Sequence, residues 1–255
     1  MDDRSSRETG TGEGTETDRR ITVTTNGPYR VAGSVPLAKQ TIVSDDEGFS
    51  IEWRQGQSFE TTEEYSLCRC GWSETKPFCD DACVRLGFDG TETASREPYL
   101  QQAYEEEGPI VTLTDAEALC SFARFCDYGG MIWNLVEQDD QEAADLSVRE
   151  STRCPSGRLV TWDRTTGRAF ESEFEPSIGL VEDPTMGVSG PLWVRGGIQV
   201  IAADGFRYEV RNRQTLCRCG QSQNKPFCDG SHASIGFDDG LDDEVRARRD
   251  AGAAG

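Results

Sequence analysis

Two stretches of this chain repeat one pattern. Leu67 to Asp80 reads L-C-R-C-G-W-S-E-T-K-P-F-C-D and matches Leu216 to Asp229 at 11 of 14 positions. The second stretch runs on through Gly230 and Ser231 to His232, the only histidine, so its donors are spaced C-x-C-x8-C-x3-H. In the first stretch Cys83 stands at the place of His232. Two metal-ligand sets that differ at a single donor constrain the fold more than any other feature of the sequence.

The spacing carries its own geometry. Two cysteines separated by one residue grip one metal only where the backbone is extended and then turns sharply. Gly71 and Gly220 follow the second cysteine and permit that turn. Pro77 and Pro226 stiffen the return path. Asp80 and Asp229 follow the third cysteine and read as helix N-caps. A short helix is expected to run from them to Gly87 or Gly236. Its first turn would carry the fourth donor on the face of the third, with its opening amides toward the metal. Lys76 and Lys225, two of only three lysines, occupy the same slot in both copies. They are candidates for offsetting cofactor charge or bonding a ligand of the other copy. On residue types alone, three thiolates and an imidazole suit zinc as well as iron.

The ten cysteines fall into three groups. Besides Cys68, Cys70, Cys79, Cys83 and Cys217, Cys219, Cys228 there are Cys120, Cys126 and Cys154. The first twenty residues hold no apolar run of a secretory signal, and no run of 18 apolar residues spans a membrane. A cytoplasmic location follows as the expectation, where reducing conditions disfavour disulfides. The net charge of −20 argues against a nucleic-acid partner and against docking on anionic membrane.

From Cys217 to His232 the motif C-x-C-x2-S-x3-P-x-C-D-G-S-H resembles the CDGSH iron–sulfur family at every position. That resemblance implies one [2Fe–2S] cluster held by Cys217, Cys219, Cys228 and His232. It also implies pairing of two modules, here within one chain as an internal pseudo-dimer and otherwise a monomer. The first motif departs from the pattern, with Asp80-Asp81-Ala82-Cys83 in place of the Asp-Gly-Ser-His run. Cys83 is expected to replace the histidine, giving a second [2Fe–2S] site of Cys68, Cys70, Cys79 and Cys83. An added thiolate should lower its reduction potential and remove the protonatable ligand.

The middle group reads C-x2-A-x2-C from Cys120 to Cys126, with Cys154-Pro155 following. It resembles single-cluster ferredoxins, which implies a [3Fe–4S] cluster on three thiolates. A [4Fe–4S] cluster would need a fourth ligand, for which Asp127 is a candidate. The alternative is three small buried hydrophobic residues.

Patterning fills in the rest. Short strands are expected at 21–24, 29–35, 40–43 and 49–53, and again at 189–194, 197–202 and 206–210. Thr114-Asp115-Ala116-Glu117 reads as a capping box opening a helix over 118–125. A strand or buried run follows at 131–136, then a helix over 142–153 stopped by Pro155, and a strand at 159–162. The expected fold is α+β: two small β-rich modules at 20–95 and 185–240, paired around a ferredoxin-like insert at 110–170. Acidic disordered tails are expected at 1–19 and 241–255.

No dinucleotide loop, Walker loop or Ser/His/Asp set is present, so no enzymatic activity is expected. The expected roles are electron transfer or the storage and delivery of [2Fe–2S] clusters, with a redox partner or an apo-protein acceptor. A redox or iron sensor acting through a protein partner, and a structural zinc protein, are the alternatives.

Overall fold

A computed structural model describes residues 19–253. The tail expected at 1–19 therefore lies, but for Arg19, outside the described residues. In chain order the first part comprises strands β1 (Arg20–Val23), β2 (Tyr29–Ala32), β3 (Leu37–Ser44), β4 (Ser50–Phe59) and β5 (Glu64–Leu67), then helices α1 (Ala82–Arg85) and α2 (Tyr99–Gln102). The insert holds β6 (Tyr104–Glu107), β7 (Val111–Asp115), α3 (Ile132–Val136), α4 (Gln141–Arg153) and β8 (Leu159–Asp163). The last part adds β9 (Ser177–Asp183), β10 (Val188–Arg195), β11 (Gln199–Ile201), β12 (Arg213–Leu216), α5 (Ser231–Ser234) and α6 (Asp243–Ala253).

The architecture is α+β, with β-rich parts flanking a central α/β segment. The two outer parts interlock. One sheet has the order β11-β1-β2-β5 and the other β12-β10-β9-β3-β4. The third strand of each part crosses over to pair in parallel with the first strand of the other: β11 with β1, with Ile21 opposite Val200, and β3 with β9, with Leu37 opposite Ile178. Alternation makes this possible, since Ile21, Val23, Tyr29 and Val31 all point to one buried face. They pack with Leu67, Ile178, Leu180, Leu192, Val200 and Leu216 in a single core. The outer parts thus share one core and two mixed sheets, and β9 precedes residue 185.

The insert has its own sheet, β6-β7-β8, and its own core of Val111, Leu113, Ile132, Val136, Ala144 and Leu159. Helix α4 follows expectation, with the Asp140 carboxylate capping it by accepting from the Ala143 amide at 3.2 Å.

Four readings need correction. No helix spans 118–125: only a 3₁₀ turn at Glu117–Leu119 forms, and the chain then loops, with Phe122 and Arg124 at left-handed φ of 58° and 60°. The expected capping hydroxyl is engaged elsewhere, since Thr114 Oγ1 accepts from Trp162 Nε1 at 2.8 Å, and the neighbouring Asp115 is buried against Arg158. Residues 132–136 form helix α3 and not a strand, burying Ile132, Leu135 and Val136. At 206–210 a single bridge, Ile201 to Arg207, replaces a strand. The tail expected at 241–255 carries α6, pinned by fully buried Val245 and by Asp242, which caps the Glu244 and Val245 amides. The remaining lysine, Lys39, secures this end through the Leu241 carbonyl (2.6 Å) and Asp242 (3.1 Å). Among the described residues no helix is long and apolar enough to cross a membrane.

Candidate metal centres

Each outer motif hangs from the end of a strand and is closed by the same bonds. β12 delivers Cys217, whose amide donates to the Pro226 carbonyl (2.9 Å), while the Cys228 amide donates to Thr215 (3.0 Å). β5 delivers Cys68 with the equivalent pair, Cys68 to Pro77 (2.9 Å) and Cys79 to Ser66 (3.0 Å). The motif serines brace the return paths, Ser222 Oγ to Phe227 O (2.8 Å) and Ser73 Oγ to Phe78 O (2.7 Å). Lys225 and Lys76 donate to Ser222 O (2.7 Å) and Ser73 O (2.5 Å) of their own loops. The lysines therefore clamp the loop that carries them, and neither reaches a ligand of the other motif.

Asp229 and Asp80 do not cap the helices as expected. The residues at the caps are Gly230 and Asp81, both left-handed. The aspartates instead tie the loop to the helix start: Asp229 accepts from the Gln223 and Ser231 amides, and Asp80 from Glu74 and Ala82. The helices are single turns, ending at Ser234 and Arg85, short of Gly236 and Gly87. Amides do face the ligand sulfurs, with Gly230 N–H 3.4 Å from Cys228 Sγ and Asp81 N–H 3.4 Å from Cys79 Sγ.

The donors approach one another in pairs. Cys217 and Cys219 sulfurs lie 3.7 Å apart, and Cys228 Sγ lies 3.4 Å from His232 Nδ1. In the first motif the pairs are Cys68 with Cys70 at 3.8 Å and Cys79 with Cys83 at 4.0 Å. Cys83 thus sits in the position of His232. Two ligands on one tetrahedral metal, with bonds of about 2.3 Å, stand about 3.7 Å apart. Two pairs per motif are what two irons, each held by two protein ligands, require. Among the described residues no three His, Cys, Asp or Glu donors converge closely enough for one metal ion.

Electrostatics divides the pairs. The hydrogen bond from Cys70 lowers the Cys68 thiol to about 6 despite burial, helped by the amides of Ser73, Gly71 and Cys70. The hydrogen bond from Cys219 lowers Cys217 to about 7 in the same way, with Lys225 adding its charge. Their pair partners, Cys70 and Cys219, are raised by the same shared hydrogen bond and by burial. In the second pair of each motif, burial lifts Cys79 to about 11 and Cys228 well above the usual thiol value. Each site thus holds one thiol made easier to deprotonate and releases further protons when metal arrives. Burial, aided by the nearby Arg218, lowers His232 to about 4, so its imidazole is neutral and able to ligate.

One pH effect follows for the metal-free protein. An unfolded histidine binds its proton near pH 6.5, whereas folded His232 does so only near 4. Between those values the unfolded state holds more protons, so this residue's contribution to stability falls as pH drops from about 6.5 to about 4. Denaturation midpoints of metal-free protein across that window should fall less steeply in His232→Asn than in the parent. Equal slopes would remove His232 as the source.

The two motifs touch back to back. A Cβ on Gly220 would lie 2.5 Å from the Cys70 carbonyl oxygen, and one on Gly71 2.8 Å from that of Cys219. Tyr29 Oη of the first part lies within hydrogen-bond distance of Cys217 O (2.8 Å) and Pro226 O (3.0 Å). The amides of Thr93 and Ala94 donate to Lys225 O.

Sequence reading missed Arg69 and Arg218, the middle residues of the two C-x-C turns. Both are buried. Arg218 binds Glu182 Oε1 (2.7 Å), Asp239, and the carbonyls of Gly190 and Val181. Arg69 binds the carbonyls of Thr24 and Gly90 and lies over the rings of Tyr29 and Phe88. Their identity in both repeats was the available signal.

The middle cysteines also come together. Cys120 leaves the 3₁₀ turn, Cys126 ends the following loop and Cys154 caps α4; all three line one cavity with Pro155, Ser156 and Arg158. Burial raises Cys126, with Asp127, Cys154 and Cys120 adding to the effect. Asp127 lies beside Cys126, Oδ1 to Sγ 3.6 Å, and does not line the cavity. Left-handed Phe122 and Arg124 bend the loop around the cavity at a cost on the order of 1 kcal/mol each, a kind of strain that concentrates at functional sites.

Comparison with known families locates these segments. Residues 26–82 and 189–233 match the iron-binding zinc finger CDGSH type, and residues 106–164 match the divergent 4Fe-4S mono-cluster family. The first match stops one residue before Cys83, where the motif departs from its pattern. No curated protein and no solved structure matches the chain. The chain thus carries two segments of the CDGSH-type iron-binding family in tandem, with a segment of the divergent 4Fe-4S mono-cluster family set between them.

Proposed function

We propose that the protein holds a [2Fe–2S] cluster in each outer motif and acts as an electron carrier without enzymatic activity of its own, serving a protein redox partner. Cys68, Cys70, Cys79 and Cys83 would hold one cluster, and Cys217, Cys219, Cys228 and His232 the other. Cys120, Cys126 and Cys154 would bind a third centre of the [3Fe–4S] type, or of the [4Fe–4S] type with a further ligand. The paired spacing of the donors supports the two-iron assignment.

The observation that carries the choice of electron transfer over cluster delivery is burial of the ligands. Cys217, Cys219, Cys228 and His232 are all at most 6% exposed, and the turn bearing His232 lies against the insert. A cluster handed to an acceptor needs ligands that the acceptor can displace. An electron needs only proximity.

Iron and acid-labile sulfide analysis should find about four irons per chain for the outer sites, or about seven to eight with the middle site filled. Incubated with an apo-ferredoxin, the holo-protein should keep its clusters and remain reversibly reducible. Stoichiometric transfer to the acceptor would refute the carrier role, and zinc in place of iron would refute the cluster assignment.

The two outer sites should differ in potential. The extra thiolate of Cys83 makes its site the harder to reduce, and only the His232 site has a ligand able to take up a proton on reduction. Redox titrations near pH 6 and near pH 8 should move one wave to lower potential with rising pH and leave the other in place. Two waves with equal pH dependence would contradict this assignment.

A further inference from the structure

The geometry points to a fixed order of electron passage along the chain: between the insert and the first motif, electrons travel by way of the second motif. This extends the electron-carrier reading above, and adds the route to it. Each step is a one-electron exchange, in which one site is oxidised as its neighbour is reduced and no atom is transferred.

The route follows two contacts between ligand-bearing backbones. At one, the insert lies on the turn between Cys228 and His232. A Cβ on Gly230 would stand 3.2 Å from Phe122 Cβ and 3.4 Å from the Cys120 carbonyl oxygen. The approach is fastened on either side: Asn224 Nδ2 donates to Ala118 O at 2.8 Å, and Phe227 packs on the cluster of Tyr99, Ala116, Leu119 and Val160. The other contact is that of Gly220 with the Cys70 carbonyl, and of Gly71 with that of Cys219. In each case a residue one or two positions from a ligand touches a ligand of the next site.

Among the described residues the turn of the first motif makes no hydrogen bond to the insert. The residue equivalent to Gly230 is Asp81, which is exposed, and Val84 of the same turn is 73% exposed where its equivalent, Ala233, is half-buried. The insert meets the first part elsewhere, through Phe125 on Trp53 of β4 (ring centroids 4.9 Å) and Arg124 on the Gly48 carbonyl (3.0 Å). The pseudo-symmetry of the outer motifs is therefore broken on one side only. The second motif lies between two neighbours, and the first is an end with its ligand-bearing turn open to solvent.

The order is tested in the reduced holo-protein by the electron-spin relaxation of the insert's signal. Cys228→Ser disables the second site and Cys79→Ser the first. Cys228→Ser is expected to slow that relaxation several-fold and Cys79→Ser to leave it unchanged. Gly230→Asp, which places the first motif's residue in the contact, keeps every proposed ligand and is expected to slow the relaxation even if Cys228→Ser does not fold. Equal effects of the two cysteine variants, a larger effect of Cys79→Ser, or no effect of Gly230→Asp in folded protein would overturn the order. Outer clusters present by iron and sulfide analysis with no signal from the insert would overturn the order and leave the carrier reading of the outer sites intact. Absence of all iron–sulfur signals would overturn both.

Discussion

Gly220→Ala is expected to destabilise the protein by several kcal/mol and to strip iron from both outer sites. Gly220 has φ of +81°, where a side chain costs about 1–2 kcal/mol. The added Cβ would also meet the Cys70 carbonyl oxygen at 2.5 Å. A backbone atom cannot swing aside as a side chain would, so the two C-x-C turns must separate, and overpacking of this kind costs about 1–3 kcal/mol more. Separation moves Cys219 and Cys70 together, which is why one substitution should affect both sites. Gly236→Ala is the control, since Gly236 is also left-handed, at +61°, but has nothing within 4 Å of its would-be Cβ. It should lose only the conformational part, about 1 kcal/mol, and keep its iron. Chemical denaturation and iron content measured on both variants decide the matter. Equal losses would mean that the contact between the motifs yields easily.

Arg218→Met should cost about 3–5 kcal/mol, because it leaves Glu182 and Asp239 buried without their counter-ion. The size of the loss should depend on pH. Burial, opposed by Arg218, already raises Glu182 to about 8, and removing the guanidinium raises it further. A folded carboxyl that holds its proton above the unfolded value loses stability as pH rises from about 4.5 toward its folded pKa. The part of the deficit due to Glu182 should therefore stay level below about pH 8, where the carboxyl keeps its proton with or without Arg218, and grow above it. Adding Glu182→Gln should recover part of it at the upper end. Arg69→Met removes only bonds to the Thr24 and Gly90 carbonyls and two ring contacts, and should cost less, about 1–3 kcal/mol. Urea midpoints of the three variants at two pH values test this. A loss from Arg218→Met no larger than that from Arg69→Met would show that the carboxylates are not held by the arginine.

The same asymmetry bears on the clusters. Arg218 is neutralised by its carboxylates, whereas no carboxylate among the described residues pairs with Arg69. If the first motif holds the proposed cluster, the charge of Arg69, which reaches Asp89 but is held by no ion pair among the described residues, would work against a lowering of potential by Cys83. The gap between the two redox waves should therefore widen in an Arg69→Met protein that retains its iron.

The sequence by itself determined the two ligand loops. Spacing and local chemistry settle them within about 17 residues, and a donor four positions after Cys79 or Cys228 returns to the same site whatever surrounds it. The short strands of the outer parts were legible for a similar reason, since alternation at Ile21–Val23 and Tyr29–Val31 marks one buried face. Helix α4 was legible from its pattern and from Pro155.

What lay beyond local pattern failed or was invisible. The helix expected at 118–125 lost its capping hydroxyl, that of Thr114, to Trp162, a partner more than 40 positions away. Helix α6 escaped notice because its anchor is a single apolar residue, Val245, together with a cap that tertiary packing makes worthwhile. The parallel pairings of β11 with β1 and β3 with β9 join strands more than 130 positions apart, and strand pattern does not name the partner. Only the tertiary structure decided that the two motifs stand back to back and that the insert rests on just one of them. Those placements depend on backbone approach at Gly71, Gly220 and Gly230, where the absence of a side chain lets distant segments touch. A glycine in sequence shows that such an approach is permitted. The partner is fixed by the whole packed core.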